Sequence, residues 1–201
     1  MPHSYEVRSS ETAFRGRIIE VRKDVVSMPG GTSSQRDVVV HPGAVGVVAL
    51  DGQGRVLLVT QYRHPVERHL EELPAGLLDV DGEPAVEAAA RELAEEAGLA
   101  ADTWHVRVDT LSSPGMSDEA IRLYLARDVR EVHRDVQLHE EAEMTSAWVP
   151  LAEAVDRVLS GEIENAMACV GVLAANEAVR RDFAGLRPAD AGWPARPTAG
   201  G

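Results

Sequence analysis

The stretch RELAEEAGL, Arg91–Leu99, decides how this chain is read. On a helix turning about 100° per residue, Glu92, Glu95 and Glu96 fall within about 100° of one another, so three carboxylates share one stripe. Like charges three and four residues apart destabilise a helix by roughly 0.2–0.5 kcal/mol per pair. Either the stripe faces water or something offsets the repulsion. The wider run EPAVEAAARELAEEAG (Glu83–Gly98) reads as a helix. Pro84 suits the first turn, the alanines favour helix, and Gly98 suits the position just past the end. Val86, Ala89, Ala90, Leu93 and Ala97 form an apolar stripe expected to pack on a sheet.

Outward from that helix the chain alternates strand and turn signals. AVGVVAL (44–50) and RVLLVTQYR (55–63) flank DGQG and read as a β-hairpin. Residues 16–41 read as two strands around Pro29-Gly30-Gly31, giving a small N-terminal antiparallel β unit over residues 1–42. WHVRVDTL (104–111) and AIRLYLAR (120–127) are strand-like, and SSPGMSDE between them is a shaped loop. TSAWVPL (145–151) reads as a short strand before helical AEAVDRVLSG and ENAMACVGVLAANEAVRRDF. These elements place the main domain at residues 43–185. Residues 186–201, rich in Pro, Ala and Gly, are expected to be disordered. Strands, one helix, more strands and then helices argue an α/β or α+β layered domain.

Composition narrows the function classes. The 201 residues carry a formal net charge of −13, which repels nucleic-acid phosphates and anionic membranes. A small anionic substrate stays open if arginines or metal ions invert the field locally. Cys169 is the only cysteine, so no intramolecular disulfide forms, and its apolar setting suits a buried structural thiol. Neither an apolar signal core nor a run of about 18–20 apolar residues is visible, and a cytoplasmic setting is expected.

The chemistry gathers around the acidic stripe. Arg91 stands four residues from both Glu87 and Glu95, whereas Glu92 and Glu96 form an i,i+4 carboxylate pair with no basic partner on their own face. A solvated face is the plain reading of the helix alone. Upstream, however, EELPAGLLDVDGE (Glu71–Glu83) is a turn-rich loop leading into the helix. Carboxylates on one helix face plus a loop carbonyl suit a hard divalent cation such as Mg²⁺, completed by waters and substrate phosphates.

Glu83, then seven residues, then Arg91-Glu92-Leu93, Ala94, Glu95-Glu96, Ala97, Gly98 and Leu99 match the tail of the Nudix box. The chain resembles the Nudix hydrolases on that ground. Gly76 is separated from Glu83 by six residues rather than five, so the loop is one residue longer than the family pattern. ELPAG before the box, SPGMSDE after it and QYRH upstream are similar to the ADP-ribose pyrophosphatase branch, actinobacterial type, and Pro114 lies fifteen residues beyond Leu99. The likeness covers roughly residues 12–180. It implies an α/β/α sandwich with a mixed sheet, and an N-terminal sheet exchanged across a homodimer.

The resemblance also implies roles. Glu92 and Glu96 would bind metal together with the Ala75 carbonyl, Glu95 would be an additional ligand, and Arg91 would orient the glutamates. Glu83 would brace the loop. The general base and a further metal ligand falls on Glu141 in QLHEEAEMTSAW, with Glu140 and Glu143 as the other candidates. Arg63 would fork onto substrate phosphates, Leu77 and Ser113 would line the groove, and Arg36 and Phe14 would reach the nucleoside. His41, His64 and His69 fit no zinc spacing. The implied cofactor is Mg²⁺, two or three ions, with Mn²⁺ as an alternative. The implied reaction cleaves the diphosphate of ADP-ribose to AMP and ribose 5-phosphate. Another nucleoside diphosphate sugar, such as GDP-mannose or ADP-glucose, or a non-catalytic nucleotide-sugar sensor, are the rival readings.

Overall fold

A computed structural model describes residues 3–133 and 143–196 of the chain. They fall into two compact units, one built from residues before Ala44 together with Leu111–Ala120, the other from Ala44–Thr110 and Ile121–Pro194.

The first unit holds an antiparallel sheet in the order β1 (Val7–Arg15), β2 (Glu20–Ser27), β3 (Ser33–Val40). Gly30 and Gly31 both sit at positive φ, 83° and 81°, a backbone that residues with a Cβ seldom adopt. The strand β1 escapes sequence reading because its nine positions are all exposed, leaving no alternation to see. It is held by its neighbour: Ser10 donates to the buried Asp24 at 2.6 Å, and Arg15 pairs with Glu20 at 2.7 Å. In the SSPGMSDE loop, the amides of Met116 and Ser117 donate to the Ser113 carbonyl at 3.0 and 2.9 Å.

In the second unit lie β4 (Ala44–Ala49), β5 (Arg55–Arg63), β6 (Arg68–Glu72), β7 (Ala75–Leu77), α1 (Ala85–Ala97), β8 (Leu99–Leu111), β9 (Ala120–Glu131), β10 (Thr145–Pro150), α2 (Leu151–Ser160), α3 (Ala166–Arg180) and β11 (Arg187–Pro188). Two sheets form, β11-β8-β9-β4-β7 and β10-β5-β6. The larger is mixed, with β4 parallel to β9 and antiparallel to β7. Period-two alternation along β4 sorts the core into two layers. Val45, Val47 and Ala49 pack with Ala85, Ala88, Ala89 and Leu93 of α1, while Ala44, Val48 and Leu50 pack with Leu151, Ala154, Val172 and Ala175 of α2 and α3. This is the expected α/β/α arrangement. Helix α3 approaches closely because Gly171 lacks a Cβ, which would overlap Leu73 and Val48.

Two expectations fail. The strands flanking DGQG meet only at the turn, through the Leu50–Val56 bridge and the Asp51 amide donating to Arg55 O. Beyond it β4 and β5 enter different sheets. Near-continuous apolar runs mark strands buried on both faces but do not name their partners. Residues 187–193, expected to be disordered, are instead ordered against the sheet. Arg187 and Pro188 pair with Val106 and His105. The buried Arg122 donates to Ala191 O at 2.6 Å and Gly192 O at 3.0 Å, lies 4.7 Å from the Trp193 ring centroid, and forks onto Asp109 at 2.7 and 3.1 Å. A Pro- and Gly-rich composition argues disorder only while no buried donor is waiting for its carbonyls. Cys169 is partly buried, its thiol donates to Ile163 O at 3.2 Å, and burial raises its pKa.

Arg122→Ala leaves Asp109 with Arg187 as its arginine partner and removes the donor that holds the Ala191 and Gly192 carbonyls, so it is expected to lower stability by about 3 kcal/mol. Urea denaturation of both proteins checks this.

Candidate active site

Helix α1 is oriented by what it buries. Ala85, Ala88, Ala89 and Leu93 are the buried apolar positions, and Gly98, at φ 63°, ends the helix with its amide on Ala94 O at 3.0 Å. The buried face is rotated from the stripe read in sequence, with Ala85 and Ala88 inside and Val86 and Ala97 only partly buried. That rotation divides the glutamates. Glu96 is 6% exposed and the Glu92 side chain 13%, whereas the Glu95 side chain is 51% exposed. Two of the three carboxylates on the stripe are therefore withdrawn from solvent, and Glu95 stays in it.

The two inner carboxylates meet the backbone of β7. The Ala75 amide donates to Glu96 Oε2 at 2.9 Å. A Cβ on Gly76 would overlap the Glu92 carboxylate, so glycine lets loop and helix come together here. Arg91 closes the other side. Its Nε and Nη2 donate to Glu83 at 3.1 and 3.2 Å, and its Nη1 to Glu92 at 2.6 Å and Glu95 at 3.3 Å. The Glu83 hydrogen bonds, then the charge of Glu92, raise the guanidinium's pKa despite partial burial. Sequence spacing allowed Arg91 to pair with either Glu87 or Glu95, and the Glu95 pair forms. The folded loop adds Glu83 in a two-pronged contact, which an exposed i,i+4 partner does not match.

One arginine thus faces Glu83, Glu92 and Glu95, while Glu96 accepts from the Ala75 amide. This cluster of carboxylate oxygens suits a hard divalent cation. Among the described residues no three His, Cys, Asp or Glu side chains form a closed cage. A cation that keeps waters and takes phosphate oxygens needs only one or two carboxylates and a carbonyl. Glu92, Glu96 and Ala75 O offer that set, and the Gly76 cleft keeps it free of a methyl group.

Arg63, at the end of β5, forks onto Glu72 through Nε at 2.9 Å and Nη2 at 2.6 Å, and Gln61 donates to the same carboxylate at 3.3 Å. Glu72 is 2% exposed. The sequence reading passed over it, taking EELPAG as loop; the signal available was an acid beside apolar Leu73, three residues before Ala75. Tyr62 packs edge-on against His69 at 5.6 Å, giving that histidine a packing role. Leu77 is partly buried on β7, opposite Ala44. Phe14, 57% exposed on β1, Ser113, and Arg36, which donates to Ser34 Oγ at 2.6 Å, belong to the first unit. Glu143 is exposed beside Met144. Glu140 and Glu141 lie outside the described residues.

A mixed-sheet sandwich whose central helix turns a glutamate pair onto a glycine-bearing loop defines a class, and the chain belongs to it: it is a member of the NUDIX domain family, matched over residues 40–168, and a Nudix hydrolase. It is 55% identical to an ADP-ribose pyrophosphatase of Mycobacterium tuberculosis over 98% of this chain and 95% of that one. An ADP-ribose pyrophosphatase of Bacillus subtilis is 35% identical over 79% of this chain and 85% of its own. A solved ADP compounds hydrolase shares the fold, with a TM-score of 0.78, 21% identity, and coverage of 90% of this chain and 96% of that one.

Gly76→Ala is expected to push the Glu92 carboxylate aside, cutting kcat by about a hundredfold with the far-UV circular dichroism spectrum unchanged. Steady-state kinetics beside that spectrum check it.

Proposed function

We propose that this chain hydrolyses the diphosphate of ADP-ribose to AMP and ribose 5-phosphate, using Mg²⁺, with Mn²⁺ as a substitute. The observation that carries this reading is the buried Glu92–Glu96 pair seated on the Ala75–Gly76 backbone. The 55% identity to an ADP-ribose pyrophosphatase selects the substrate class.

Glu92, Glu96 and the Ala75 carbonyl would hold the cation, with Glu95 as an additional ligand and Glu141 as a further one. When bound, such a cation neutralises phosphate charge and lowers the pKa of a water it carries. Arg91 fixes the rotamer of Glu92 through the 2.6 Å contact and is itself fixed by Glu83, so the carboxylate is oriented before substrate arrives. Arg63 presents a planar guanidinium to the phosphates. Glu141 takes a proton from the attacking water. Oxygen of that water bonds to one phosphorus, the bond from that phosphorus to the bridging oxygen breaks, and the bridging oxygen leaves with the other phosphate. No side chain need form a covalent intermediate. The assignments of Leu77 and Ser113 to the substrate groove, and of Arg36 and Phe14 to the nucleoside, rest on the family resemblance.

A homodimer completes the reading. Tyr5, Val7, Phe14 and Ile18 are 46–63% exposed on the first unit, which is apolar surface that a second copy could cover. A single thiol suits a cytoplasmic setting.

Purified protein with ADP-ribose and Mg²⁺ is expected to release AMP, and Glu96→Gln to slow release about a hundredfold or more. Chromatography of AMP, with GDP-mannose and ADP-glucose in parallel, checks this. Faster turnover of another sugar nucleotide would reassign the substrate. Binding of ADP-ribose with no turnover of any substrate would make the chain a sensor.

A further inference from the structure

Arg63 does not take the nearest route available to it. It ends β5, and its cross-strand neighbour is Arg68, while Glu72 stands opposite Val59, four residues back along the strand. At about 3.3 Å per residue, that offset is roughly 13 Å of strand. Residues 59, 61 and 63 share one face with 68, 70 and 72, so the Arg63 side chain lies back along that face toward Glu72 instead of extending from the hairpin. There it meets both carboxylate oxygens, at 2.9 and 2.6 Å, with Gln61 donating alongside at 3.3 Å. The segment it is drawn toward leads, three residues on, to Ala75, whose amide holds Glu96.

Glu72 and Arg63 differ sharply in exposure. The Glu72 side chain is 3% exposed and the Arg63 side chain 43%. A carboxylate so enclosed acts on a ligand only through the group it holds. The guanidinium, gripped along one edge, still presents surface to solvent.

We propose that Glu72 is a positioning residue: by fixing Arg63 in the folded-back rotamer it aims the guanidinium at the substrate's phosphates before binding. This rests on the reading of Arg63 as a phosphate contact. The gain is entropic, because a long side chain frozen in the free protein loses little freedom when the anion arrives. The opposing cost is partial neutralisation of the guanidinium by its partner. The hypothesis is that preorganisation outweighs it, because the fork leaves the planar group oriented. A purely architectural ion pair would steady the β5–β6 hairpin and do nothing to KM.

The test is a double-mutant cycle with Arg63→Ala, Glu72→Gln and the pair, read as KM and kcat for ADP-ribose and as the calorimetric Kd for ADP-ribose without added metal. Arg63→Ala is expected to raise KM and Kd. Glu72→Gln is expected to raise both about tenfold with kcat within about twofold of wild type. The double variant should match Arg63→Ala, because Glu72 has no route to the substrate without Arg63. Glu72→Asp keeps the buried negative charge and should recover part of the loss, separating positioning from misfolding. Additive effects in the double variant, or a Glu72→Gln protein with unchanged KM and Kd, would overturn the proposal while leaving Arg63 as a phosphate contact. An Arg63→Ala protein that binds as wild type would overturn the Arg63 assignment and the proposal with it. A wild-type protein that neither binds nor cleaves ADP-ribose would overturn the substrate reading instead.

Discussion

Taking Glu92 and Glu96 out of water on one edge of α1 constrains everything around them. An isolated carboxylate buried in a low-dielectric interior is costly unless donors or charge meet it. Here the Ala75 amide meets Glu96 and the Arg91 guanidinium meets Glu92. Both partners depend on tertiary structure. The amide is in place because β7 pairs with β4 through Gly46–Ala75. The helix presents the right edge because Leu93 and the alanines lock its rotation against Val45 and Val47. Loosening either would leave charge without a partner, so the mixed sheet and the acidic edge stand or fall together.

The same economy of donors runs through the rest of the second unit. Each deeply buried ionic group is met by a forked arginine or by backbone: Glu72 by Arg63, Arg122 by Asp109 and two carbonyls near the end of the chain. Buried pairs of this kind contribute little net stability when intact but are costly to break. They act as registration devices, each tying segments that are distant in sequence to one geometry. In a chain of net charge −13, they also place arginines where orientation matters.

The elements that could be read without coordinates were those whose signal is local. Helix α1 declared itself through Pro84, its alanines and Gly98, and the β2–β3 turn through two adjacent glycines. What escaped had no local signal. Strand β1 is exposed at all nine positions and is held only by its neighbour. The parting of β4 and β5 into two sheets depends on strands far away in sequence, β9 and β10. The order of residues 187–193 depends on Arg122, some seventy residues earlier.

For the site, the sequence by itself determined the donor inventory. It held Glu92, Glu95 and Glu96 at helical spacing, Arg91 beside them, Ala75 and Gly76 upstream, and a family pattern linking them. Spacing could not say which glutamates turn inward, since a helix's rotation is set by the surface it packs on. Tertiary structure decided that Glu92 and Glu96 face β7 while Glu95 faces water. It likewise gave Arg91 to Glu83 and joined Arg63 to Glu72 across the β5–β6 hairpin. Residue types and helical period are properties of the chain; partners are properties of the packing, because a hydrogen bond reaches about 3 Å and only the folded core brings these groups that close.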